Sequence, residues 1–252
     1  MTCTNPIEIA GQLDFPCGKC MSCRIQRTQE WAMRLVHEFQ YHEHGLFITL
    51  TYDEDHLPKG GTLVKDHFVK WLKRFRKEME PLKLKIYGNG EYGEETGRPH
   101  YHAILYDVKI TDFTPSADVI GKYTHKSWPY GFIDCAILNY YTCRYVAGYI
   151  KRKLNGPSAD EAYKNKEAPF KYASNGLGKL WAIDHRENIK NNQYINFQGK
   201  KMSVPRYYLK VTDLELDVPI DSRRETLKEE DFQRRYKNQK LKDDDEWSFN
   251  LR

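Results

Sequence analysis

The chain has 252 residues and carries 40 Lys and Arg against 35 Asp and Glu, a formal charge of +5. That length accommodates one substantial core with extensions, and the mild basic excess admits a polyanionic partner without requiring one. No run of about 18 apolar residues is present to span a bilayer, and the N-terminal MTCTNPIEIA lacks the basic and apolar regions of a signal peptide, so a soluble, cytoplasmic protein is expected.

The first motif is PCGKCMSCR, in which Cys17, Cys20 and Cys23 form a C-x2-C-x2-C run. In a reducing compartment this spacing favours metal ligation over disulfides. A structural zinc here needs a fourth ligand, for which Cys3 and His37 are candidates; buried free thiols are the alternative. A ferredoxin-type cluster would want its next cysteine where Arg27 stands. From Ser22 to Tyr41 the apolar residues Ile25, Ala32, Leu35, Val36 and Phe39 recur with helical spacing. LFITLTYD then alternates as a two-faced strand, and after a turn at Pro58 to Gly61 a helix is predicted, capped by Asp66 and stopped by Pro81.

A second strand is expected over Leu82, Leu84 and Ile86, followed by the glycine-rich connection GNGEYGEETGRP and a strand from His100. GFIDCAIL reads as a further strand, and Asn139 as the cap of a helix running to Leu154. NFQGKKMSVPRYYLK reads as a hairpin. Hairpin links between strands with helices interspersed predict an α+β domain on a mostly antiparallel sheet with flanking helices, over residues 1–212, with a charged arm over 213–252.

Two constellations carry chemistry. His100 and His102 in RPHYHAIL are two apart on a strand, so both imidazoles project from one face and can share a cation. His42 and His44 have the same spacing at a helix end, where such residues diverge. A hard ion such as Mg2+ or Mn2+ also wants an oxygen ligand, for which Glu91 is the first candidate, ahead of Glu94, Glu95 and Asp53. On the helix NYYTCRYVAGYIKRKL, Cys143, Val146, Ala147, Ile150 and Leu154 cluster on one side, while Tyr141, Tyr145 and Tyr149 line up roughly opposite. A tyrosine hydroxyl attacks phosphate only if the phosphate is polarised and the phenolate stabilised, which a nearby metal and a Lys or Arg can provide. If the apolar stripe packs on the sheet, however, the tyrosines face away from it.

His-hydrophobic-His followed by Tyr-x3-Tyr resembles the paired signature of the HUH endonucleases, the rolling-circle initiators and relaxases. PCGKC, GEYG and RPHYH, and YVAGY with the later SNGLGKLW, resemble in more detail the replication initiators of gokushovirus-type microviruses. The resemblance spans about residues 16–181. It implies the HUH fold with the histidines on a central strand, and nicking and rejoining of single-stranded DNA at a viral origin through a 5′-phosphotyrosine. It also implies metal ligands at His100, His102 and Glu91, nucleophiles at Tyr145 and Tyr149, and work with a host helicase and polymerase. Arg98, Lys73, Arg74, Arg152 and Lys153 are the basic positions expected to bind the DNA. A zinc-stabilised DNA-binding regulator without chemistry, and a transposase or relaxase of the same superfamily, are the rival readings.

Overall fold

The computed structural model describes residues 3–9, 12–152, 159, 161 and 163–215. Its centre is an antiparallel sheet of seven strands. In chain order these are β3 (Gly45–Thr51), β4 (Ile86–Tyr92), β5 (Pro99–Tyr106), β6 (Thr114–Pro115), β7 (Tyr123–His125), β8 (Trp128–Ile137) and β9 (Phe170–Ala173), arranged β6-β7-β8-β3-β5-β4-β9. A small N-terminal hairpin, β1 (Ile7–Ile9) and β2 (Gln12–Phe15), and a second one, β10 (Ile195–Phe197) and β11 (Lys200–Met202), stand apart from it. The α+β architecture expected from the sequence is the one observed.

Three helices cover the two faces. On one face α2 (Lys65–Glu78) buries Phe68, Trp71, Leu72 and Phe75 against Leu46, Ile48 and Leu50 of β3 and Tyr101, Ala103 and Leu105 of β5. On the other, α1 (Met21–Phe39) and α3 (Tyr140–Arg152) pack together over Tyr87, Ile104 and Tyr106. The alternation of each strand thus separates two chemically different sets: apolar residues toward α2, and Thr49, Thr51, His100, His102 and Glu91 toward α1 and α3. A third cluster joins Met33 of α1 to α4 (Lys179–Asp184), α5 (Arg186–Asn192) and α6 (Arg206–Thr212) through Trp181, Ile189 and Tyr208.

Several expectations are corrected. The residue before α2 is Val64, with no side-chain cap; Asp66 lies inside the first turn and binds Lys70. The strand predicted at Leu82 starts instead at Ile86 and runs through the glycines to Tyr92. Glycine reads as a strand breaker, yet here packing requires it. A methyl group at Gly88 would stand 2.7 Å from the Phe68 ring, and one at Gly90 2.6 Å from Phe170, so bare backbone is what lets these rings lie on the sheet. The hairpin expected from Asn196 to Lys210 is confined to β10 and β11, and its second half is α6. Asn139 does cap α3: its Oδ1 accepts from the Thr142 N–H at 3.0 Å, and Thr142 Oγ1 accepts from the Asn139 N–H at 2.9 Å. Lys153, Leu154 and residues 216–252, most of the charged arm, lie outside the described residues, as does the side chain of Arg152.

Candidate metal and tyrosine site

The register of three interior strands builds the first site. Glu91 is the cross-strand partner of His100, and Thr49 and Asn89 flank His102 on either side. Side chains opposite one another in an antiparallel ladder share a face, so the alternation that buries Tyr101 and Ala103 beneath α2 delivers both imidazoles and the carboxylate to the other side. There Glu91 Oε1 lies 2.9 Å from His100 Nε2 and 3.2 Å from His102 Nε2, and the two Nε2 atoms are 3.1 Å apart.

The outer nitrogens fix what the inner ones offer. His100 Nδ1 stands 3.2 Å from the carbonyl of Arg98, which can only accept, so Nδ1 carries the proton and Nε2 presents its lone pair. His102 Nδ1 donates likewise to Thr49 Oγ1 at 2.9 Å. Two imidazole lone pairs and a carboxylate oxygen therefore converge on one point, a repulsive arrangement until a cation occupies it. Burial pushes the Glu91 carboxyl up, but its bonds to His100 and His102 outweigh this and hold it below the usual carboxylate range. These three residues are able to hold a metal ion. Of the lesser candidates, Asp53 is bound to His56 at 2.8 Å and Glu94 lies on the rim of the adjoining cleft. The second histidine pair is dispersed, with His42 tied to Glu38 and Asp107 and His44 half exposed.

The position of the tyrosines settles the conflict over the apolar stripe. Cys143, Val146 and Ala147 bury themselves against Ala32 and Leu35 of α1 as well as the sheet, so α3 is rolled onto its neighbour and its tyrosine flank comes down over the histidines. Tyr149 stacks on His102 with centroids 5.0 Å apart and an interplanar angle of 8°, and its hydroxyl donates to His102 Nε2 at 3.1 Å. Tyr145 meets His102 edge-on at 5.5 Å and Tyr149 at 5.1 Å. The Tyr141 ring lies against Tyr140.

The second site closes at the start of α1. The sulfurs of Cys3, Cys17, Cys20 and Cys23 all lie within 4.8 Å of one another, and Cys3 and Cys20 are 3.8 Å apart. Four sulfurs around a zinc ion, at about 2.3 Å each, stand about 3.8 Å from one another, so the donor set and its spacing fit that ion. Backbone N–H groups of Lys19 and Cys20 point at Cys17 Sγ, and that of Cys17 at Cys3 Sγ, an arrangement that stabilises thiolates. His37, the other candidate for the fourth position, is buried elsewhere, stacked 3.5 Å from Trp181 and bonded to Tyr208. Only the fold reveals Cys3 as the fourth, because it comes from the far side of the β1–β2 hairpin.

The basic residues divide. Lys73 and Arg74 ride on α2, on the sheet face opposite the site, with Arg74 bound to the Ser127 carbonyl. Arg98 is pinned between Glu54 at 2.7 Å and the Tyr52 carbonyl at 3.1 Å. Sequence reasoning passed over Thr49, Asn89 and Lys171, which the sheet places on the site face. For Thr49 a signal existed, since it alternates with the apolar residues of LFITLTYD.

Residues 45–154, which include the whole Glu-His-His and tyrosine constellation, match the family model of the ORF2-type replication-associated proteins. The chain is similar to the replication-associated protein VP4 of Bdellovibrio phage phiMH2K, with 30% identity over 212 residues, 77% of this chain and 66% of that protein. It is also similar to the replication-associated protein ORF2 of Spiroplasma virus 4, with 28% identity covering 87% of this chain and 76% of the relative. With the replication-associated protein ORF4 of Chlamydia phage 1 the identity is 27%, over 77% of this chain and 52% of the relative. No solved structure matches the chain.

Proposed function

Because this chain belongs to the microvirus-type family of phage replication-associated proteins, we propose that it initiates rolling-circle replication as an HUH-type endonuclease that nicks and rejoins single-stranded DNA at an origin. One observation carries this reading: the Tyr149 hydroxyl lies within hydrogen-bonding distance of a histidine whose lone pair points at the same place as those of Glu91 and His100. A core tyrosine has no need of a three-ligand cluster beneath it.

Glu91, His100 and His102 would hold a divalent ion such as Mn2+ or Mg2+, two nitrogens and one oxygen being a donor set that leaves further positions open. When bound, such an ion supplies Lewis-acid polarisation of a phosphate oxygen. The chain's own residues do the rest. Stacking on His102 and burial hold the Tyr149 ring still, so its hydroxyl is presented rather than searched for. The tyrosine oxygen bonds to phosphorus as the bond from phosphorus to the 3′ oxygen breaks; the hydroxyl proton is given up, and the departing oxygen takes a proton to become a 3′-OH. The 5′ end stays on the protein as a phosphodiester of tyrosine, which retains the energy of the cut bond, and attack by a 3′-OH reverses the step. The free 3′-OH would prime a host polymerase behind a host helicase. Tyr145, one turn away and against both rings, is placed to take a second transfer. The four-cysteine site would hold zinc as a structural ion, since all its positions are filled by sulfur.

The test is a denaturing gel of the protein with 3′-labelled, origin-bearing single-stranded DNA and Mn2+. Wild type is expected to give a labelled band at the mass of protein plus DNA, reduced on the order of 10⁴-fold or more in Tyr149→Phe. Cleavage without such a band would point to attack by water and overturn the tyrosine mechanism. Binding without any cleavage of a demonstrated origin would leave a DNA-binding regulator.

A further inference from the structure

A cleft of about 690 Å³ opens from the candidate metal site toward the four-cysteine knuckle. Glu91 and Tyr149 form its inner end, and Cys17 to Lys19 form its outer rim. Its floor is set by the sheet register: His102 of β5, Asn89 of β4 and Lys171 of β9 are successive cross-strand partners. At roughly 4.8 Å per strand, the Lys171 backbone stands about 10 Å from that of His102, on the same face. A short run of nucleotides in an extended strand covers that distance.

Three features of the cleft ask for an anion. Lys19, Arg24, Arg27 and Lys171 line it, against Glu91 and Glu94. Lys171 makes no ion pair among the described residues; its ammonium instead rests on the Trp31 ring, 4.1 Å from the centroid. Partial burial, together with the charges of Arg34 and Arg27, pulls the Lys171 ammonium down to about 8, a strain that an arriving phosphate relieves. Next to it Asn89, 4% exposed, leaves both Oδ1 and Nδ2 without a hydrogen-bond partner. A buried amide with two empty valences is costly in the free protein and is satisfied by a ligand that brings both a donor and an acceptor.

We propose that Lys171 and Arg27 form a phosphate subsite for the linkage next to the one that is cut, and that the Asn89 carboxamide hydrogen-bonds the nucleotide held between that subsite and the metal. This rests on the reading that single-stranded DNA is the substrate, and it names the residues that set the strand's register on the site. The knuckle is then one wall of the strand's path, and its metal holds that wall in place.

The experiment measures binding of a short fluorescent single-stranded oligonucleotide by anisotropy, with the zinc-loaded full chain and without added Mn2+ or Mg2+, across a salt series. Each lost phosphate contact to a single strand lowers the slope of log affinity against log salt by about 0.7, so Lys171→Met should lose about 0.7 and Lys171→Met with Arg27→Gln about 1.4. Lys171→Arg should keep the wild-type slope. Single neutral methylphosphonate linkages then locate the contact: one position beside the scissile linkage should weaken wild type and leave Lys171→Met indifferent. Asn89→Leu should raise the melting temperature while weakening DNA binding, whereas a merely structural Asn89 would lower stability. Wild-type slopes in folded Lys171→Met and in Arg27→Gln, which changes an exposed side chain, would overturn the subsite even if the covalent adduct forms. A reduced slope without any adduct would keep the subsite and remove the cleavage chemistry instead.

Discussion

Two clusters of ligating side chains sit at opposite ends of one cleft, and they differ in how they are built. The cysteine knuckle gathers three sulfurs from within seven residues and the fourth from an N-terminal strand arm, and sulfur fills every position. The Glu-His-His cluster draws on two paired interior strands, offers three ligands, and has a tyrosine hydroxyl on its open side. A closed site of four thiolates has nowhere to bind substrate and can only hold chain segments together, whereas a three-ligand site on a rigid sheet can admit a phosphate. The same chain thus uses loops where a metal is to replace a core and strands where a metal is to face a reactant.

Metal removal is expected to separate the two most sharply. Treatment with a mild chelator, or the paired change His100→Ala and His102→Ala, should lower cleavage by about 10³-fold or more while leaving the melting temperature close to that of wild type, and Mn2+ should restore the chelated protein but not the variant. Loss of fold in that variant would break the contrast. Conversely, Cys20→Ser should lower the melting temperature by roughly 5–10 °C, at about 2–4 °C per kcal/mol for a chain of this size, and release one zinc per chain by atomic absorption. A variant of unchanged stability would show that the cysteines are ordinary thiols.

Gly90→Ala probes the seam between the site and the opposite face. The added methyl would meet Phe170 at 2.6 Å and Tyr101 at 3.0 Å, so a loss of about 1–3 kcal/mol is expected in denaturant unfolding, with Glu91 displaced beside it and Mn2+ affinity reduced. The smallest effect concerns α1, the beam that starts at the knuckle and passes beside the tyrosine helix. Burial, aided by the charge of His185, pushes His37 down to about 3, so it is neutral in the folded chain, whereas unfolded histidine titrates near 6.5. Between these values the unfolded state binds the extra proton. Stability is therefore complete above about pH 6.5 and falls as pH drops toward 3, by at most about 1.4 kcal/mol per pH unit. His37→Gln should flatten this part of the profile in thermal melts, and an unchanged profile would assign the acid sensitivity to other groups.

The sequence by itself determined the elements whose faces are periodic: the two-sided strand at Leu46, the His100 strand, the capped α3 and the amphipathic α1. These could be read because side-chain alternation and helical spacing are local properties that survive without knowledge of partners. It also named His100, His102, Glu91 and the tyrosines, since reactive residue types at fixed spacing are visible along one strand or one helix. What only the tertiary structure decided is which elements meet. The run from Gly88 to Glu91 reads as a loop until Phe68 and Phe170 are seen to need its bare backbone. The tyrosine helix reads as facing away from the sheet until α1 takes its apolar stripe. Cys3, Asn89 and Lys171 carry no periodic signal; the N-terminal hairpin and the register of β4 with β9 bring them into place. Cross-strand register and helix roll depend on contacts between residues far apart in the chain, and those contacts, rather than local propensity, fix where a side chain's chemistry is delivered.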